Sequence, residues 1–160
     1  MGHRRPPRAW LLGVAAALLV AGCSSGDGGE RRFRYAAAVE VPAAVTERDQ
    51  LAALLAGFAQ REGLAYRDSS PRAQRLSNGR QTLAIEMDRP LTNGQLWTEL
   101  KVSALGNDKV LITFAQPLDE GIAADSERSR AELLSALRQR WPGTANVPLL
   151  PDGGIAREQG

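Results

Sequence analysis

Apolar residues recur at alternate positions in four parts of the chain. Over residues 33–41 they are Phe33, Tyr35, Ala37, Val39 and Val41, with Arg34 and Glu40 between them; over 82–88, Leu83, Ile85 and Met87; over 96–105, Leu96, Leu100 and Val102; over 109–116, Val110, Ile112 and Phe114. A period of two turns one face of an extended chain to a core and the other to solvent, so each part predicts a half-buried strand. Pro42 ends the first. Residues 64–67 predict a short fifth strand, followed by a loop over 69–79.

The period changes twice. Leu51, Leu54, Leu55 and Phe58 fall on one helical face, behind Thr46, Glu47, Arg48 and Asp49, which supply a cap and a first-turn acid, and ahead of Gly63. They predict a helix over 47–62. Leu133, Leu134, Leu137 and Trp141 form a second stripe, with Asp125 or Ser126 as the expected cap and Pro142-Gly143 as the stop. Trp141 and Phe58 are expected in the core.

Opposed residues of an antiparallel pair share a face, which fixes the register. Val102 is expected opposite Ile112 and Leu100 opposite Phe114, leaving Gly106, Asn107 and Asp108 as a three-residue loop. Met87 is expected opposite Leu96, closing a loop over 89–94. The half-apolar sheet and two striped helices need each other to bury their faces. The expected fold is a two-layer α+β domain over 33–143: an antiparallel sheet of four to five strands with two amphipathic helices packed on one face, then an irregular tail over 144–160 that lies on the domain, pairs with a sheet edge or stays loose.

The first thirty residues follow another logic. Arg4, Arg5 and Arg8 precede an uncharged run from Ala9 to Val20, then the small residues Ala21 and Gly22, then Cys23, the one cysteine of 160 residues. This is the layout of a secretory signal. Twelve residues rising about 1.5 Å each span about 18 Å, short of a hydrocarbon core of about 30 Å. Val20-Ala21-Gly22-Cys23 resembles the lipobox of bacterial lipoproteins. The resemblance covers residues 1–26. It implies cleavage ahead of Cys23 and acylation of its sulfur, so that 1–22 are a signal peptide and 23–32 a lipidated linker of Ser and Gly. Several acyl chains, at about 0.8 kcal/mol per buried methylene, make a durable anchor. Ser24 after the cysteine implies the periplasmic face of the outer membrane if the host is Gram-negative. The order of helices around a meander also looks like the small domains of envelope-assembly lipoproteins, in topology alone.

Cleavage changes the charge reading. Three of the 20 Lys and Arg precede Cys23 and all 18 Asp and Glu follow it, so the +2 of the whole chain becomes −1. No nucleic-acid partner is expected; Arg31, Arg32 and Arg34 cluster where anionic headgroups would lie. The one histidine, His3, leaves with the signal, which removes the Ser/His/Asp, Cys/His and Cys/His-zinc chemistries. No catalytic residue, cofactor or metal is expected. The expected register puts Glu86 opposite Trp97, with Asp88, Glu99 and Lys101 on the same uncovered face. Trp97, Glu86, Glu99 and Lys101 are therefore the candidate partner-binding residues, and an envelope protein the expected partner beside the membrane. The rival readings are a lipid-anchored hydrolase using Glu86, Asp88 or Glu99, and an inhibitor or immunity-type protein.

Overall fold

A computed structural model describes residues 34–79, 83–106, 108–117 and 119–156; Cys23 and the expected signal and linker lie outside these. In chain order the elements are β1 (Tyr35–Val41), a 3-10 turn (Val45–Glu47), α1 (Arg48–Glu62), β2 (Ala65–Asp68), α2 (Ser70–Leu76), β3 (Ala84–Pro90), β4 (Leu96–Leu105), β5 (Lys109–Ala115), α3 (Glu120–Arg140) and β6 (Ala145–Asn146). The fold is α+β, with one antiparallel sheet in the order β2-β3-β4-β5-β1-β6. It has six strands rather than four to five, because the start of the tail pairs with the free edge of β1: Val39 stands opposite Asn146 and Glu40 opposite Ala145.

One sheet face and one stripe from each long helix make the core. Val39, Val41, Ile85, Met87, Leu100, Val102, Val110, Ile112 and Phe114 meet Leu51, Leu55 and Phe58 of α1 and Leu133 and Leu137 of α3, with Trp141 closing one end. Burying each large aliphatic or aromatic side chain contributes about 1.5–3 kcal/mol. α1 ends at Gly63, whose φ of 66° is the left-handed conformation a helix stop demands. Glu47 fastens its other end, accepting from the Ala44 amide at 3.1 Å and from Trp141 Nε1 at 3.2 Å. Arg48 ties α1 to the β4–β5 turn through the Gly106 carbonyl at 2.5 Å, while its buried Nε and Nη1 have no hydrogen-bond partner among the described residues.

The β4–β5 register is the expected one, with Val102 opposite Ile112, Leu100 opposite Phe114 and Leu105 opposite Lys109. The β3–β4 register differs. Met87 stands opposite Leu100 rather than Leu96, and Glu86 opposite Lys101 rather than Trp97. β3 runs on through Arg89 and Pro90, and the turn is tightened by the Leu91 amide donating to the Gln95 carbonyl at 2.8 Å. A slip of four residues preserves the alternation, so pattern alone could not separate the two pairings.

Two helical boundaries also differ from expectation. Residues 69–79 hold α2, which buries no side chain and so leaves no apolar repeat to read. α3 begins at Glu120, where the Asp119 carboxylate accepts from the Gly121 amide at 2.7 Å. Its first buried side chains are Ser126 and Ser129, which an apolar stripe misses.

Candidate functional site

Two β-bulges decide which side chains reach which face. In β1 the pairing shifts between Tyr35 and Ala37, so Tyr35, expected on the core face, stands opposite Ala115 on the uncovered face. In β4 the pairing passes from Met87–Leu100 to Asp88–Thr98, leaving Glu99 without a cross-strand partner. Glu99 therefore turns to the helix side, contrary to expectation. Trp97, opposite Arg89, shares that side and is half-buried. The four candidate residues thus divide: Glu86 and Lys101 are brought together on the open face, whereas Glu99 and Trp97 belong to the other.

On the helix side Arg89 and Glu99 form a sealed pair, their side chains 13% and 6% exposed. Arg89 Nε and Nη2 both donate to Glu99, the latter at 3.0 Å to Oε1. Ser126 Oγ donates to Glu99 Oε2 at 3.3 Å; Ser129 Oγ accepts from Arg89 Nη2 at 3.1 Å and donates to Glu62 at the end of α1. The hydrogen bonds that Arg89 donates to Glu99 hold its guanidinium charged against the opposing effect of burial. The cluster fastens the first half of α3, which buries no apolar side chain, to the sheet.

On the open side a polar row crosses the strands: Arg67, Glu86, Lys101, Thr113 and Ala38 are successive partners. Arg67 Nη2 lies 2.9 Å from Glu86 and 2.7 Å from Asp88, and Lys101 Nζ lies 3.3 Å from Glu86. Asp88 is itself buried, accepting also from Thr98 Oγ1 at 2.8 Å. All three acids of the hydrolase reading are thus engaged by arginine, Glu86 and Asp88 by Arg67 and Glu99 by Arg89. Among the described residues no group of three or more His, Cys, Asp or Glu could hold a metal ion.

The row floors a groove of about 320 Å³, lined by Tyr35, Ser69, Ala84, Lys101, Leu111 and Ile155 among others. Tyr35 comes from the β1 bulge and Ile155 from the tail. The tail folds back through a Leu149–Ile155 bridge and is clamped to the sheet by the Val147 amide on the Ala38 carbonyl at 2.8 Å and the Tyr35 amide on the Gly153 carbonyl at 3.0 Å. Gly153 has φ of 78°, and a Cβ there would sit 3.0 Å from Arg34 Cγ. Sequence reasoning missed Tyr35 and Ile155. A tyrosine among alanines in YAAAV was the one available signal for the first.

The fold and this face define a small α+β module with an open, groove-bearing sheet. Compared with known proteins, the chain matches no family model, no curated protein and no solved structure.

Proposed function

We propose that this chain is a lipid-anchored cell-envelope protein whose α+β domain binds an envelope protein on the open face of its sheet. The groove carries the binding half of this reading. It joins the apolar Tyr35, Leu111 and Ile155 to the polar Glu86, Lys101, Ser103 and Thr113, and binding sites take this mixture of apolar area and a few polar groups. The lipobox-like Val20-Ala21-Gly22-Cys23 supports the anchor, and Ser24 supports the periplasmic face of the outer membrane if the host is Gram-negative. Among the described residues no helix is long and apolar enough to cross a membrane.

The experiment is site-specific photo-crosslinking in the native envelope. A crosslinker in place of Tyr35 or Ser103 on the groove captures a defined protein, and one in place of Gln139 on α3 does not. Equal capture at the three positions, or none, removes the binding-face reading. Cys23→Ser releases the protein from the membrane fraction or leaves it unprocessed; unchanged fractionation and mobility remove the anchor.

A further inference from the structure

We infer that α2 is a membrane-contacting element that rests on anionic phospholipid headgroups; this goes beyond the binding face and rests on the lipid-anchor reading. α2 projects from the β2–β3 edge and buries no side chain. Its inner side is held by Ser70 Oγ, which accepts from the Ala84 amide at 3.0 Å, and by the Ser69 amide on the Ala84 carbonyl at 2.8 Å. At 100° per residue, Arg72, Arg75 and Leu76 share the opposite arc, and all three are exposed, Leu76 at 77%, the most of any large apolar residue among the described residues. A shallow hollow of about 450 Å³ opens on the flank formed by Ser69, Arg72, Ala73, Leu76 and Ser77.

The charged residues on the arc itself are Arg72 and Arg75; the neighbouring acid, Asp68, lies at the start of the helix, its carboxylate accepting from the Ser70 amide at 2.8 Å. α3 differs: its exposed positions intersperse Asp125, Glu127 and Glu132 with Arg128 and Arg138, and Arg128 pairs with Asp125 at 2.9 Å. An exposed leucine beside two arginines is the composition of a surface that enters headgroups shallowly while its guanidinium groups meet phosphates. The chain length permits it. The 11 residues from Cys23 to Arg34 extend up to about 36–40 Å, whereas β1 and β2 are four strand spacings, about 19 Å, apart.

The test uses the full lipidated chain. Cys23 is the sole native cysteine, so Leu76→Cys offers one free thiol for an environment-sensitive fluorophore; Glu132→Cys on α3 is the control. In vesicles of phosphatidylethanolamine and phosphatidylglycerol at 3:1, the label at 76 shifts to the blue and resists iodide quenching, and the control does not. In phosphatidylcholine vesicles neither label shifts. Each arginine contributes about fivefold to headgroup partitioning, so Arg72→Gln with Arg75→Gln lowers the docked-to-undocked ratio about 25-fold. A solvent-exposed label at 76 on vesicle-bound protein overturns the inference and leaves the anchor standing, and so does equal protection in both lipids. Protein that does not float with vesicles overturns the anchor and this inference with it.

Discussion

On the helix side of the sheet, Arg89 and Glu99 keep 13% and 6% of their side-chain surface, and Arg89 donates two hydrogen bonds to Glu99; on the open side, Arg67, Glu86 and Lys101 keep 55%, 32% and 46%. Both are arginine-centred clusters on adjacent strands, but they carry different energies. In the sealed cluster, losing one partner strands a charge that water cannot reach. In the open row, water replaces a lost partner and screens the rest, so the row is free to serve recognition. Cover, rather than composition, separates the two roles.

The sealed and open clusters part most sharply at Glu99. Glu99→Ala leaves Arg89 buried and unpaired, and destabilisation of about 3–5 kcal/mol is expected in urea unfolding. Replacing the pair by Arg89→Met with Glu99→Leu restores most of it; a double variant as unstable as the single one would mean that the cluster does not act as a pair. Next comes the apolar part of the same side. Ile112→Ala removes a fully buried side chain and is expected to cost about 2–5 kcal/mol, read from the thermal midpoint. Gly153→Ala puts a Cβ against Arg34 at a left-handed φ, and about 1–2 kcal/mol is expected, appearing as faster amide exchange over residues 147–155 while the core stays protected. On the open row, Glu86→Gln or Lys101→Met is expected to move stability by less than about 0.5–1 kcal/mol, yet to reduce photo-capture of the proposed partner from the groove.

The smallest effect lies at high pH. Burial, and then the nearby Asp68 carboxylate, raise the Tyr66 phenol above its ordinary value of 10.0. The folded state therefore favours the neutral phenol. Its contribution is full below pH 10 and lost as pH rises through the folded value, so Tyr66→Phe flattens the alkaline limb of the stability curve.

The core was legible because it obeys periodicity. Leu51, Leu55, Phe58, Leu133, Leu137 and Trp141 are buried as their spacing demands, and the β4–β5 pairing follows from matching apolar faces. What escaped was structure that breaks a period or has none. A bulge changes face by inserting one residue, and nothing in TELKV marks Glu99 as that residue. Its physical signature is relational: the inward carboxylate needs Arg89, Ser126 and Ser129, which lie on two other elements. α2 and the first turns of α3 bury no apolar side chain, so the features that define them are backbone caps and single polar contacts. Of the candidate residues, Glu86 and Lys101 were placed on the open face by alternation alone, even though the register behind their pairing differed by four.

The position of β1 has a consequence in time. β3, β4 and β5 are joined by short turns and close on near neighbours. β1 finds β5 69 to 80 positions later and the Gly153 carbonyl 118 positions later. Loop-closure entropy makes such distant pairing slow. The first strand of this sheet in chain order is therefore expected to settle last, and Ala37, Val39 and Val41 stay uncovered while the rest of the sheet assembles. A chaperone that holds the nascent chain would find its grip at the strand that ends beside the tail.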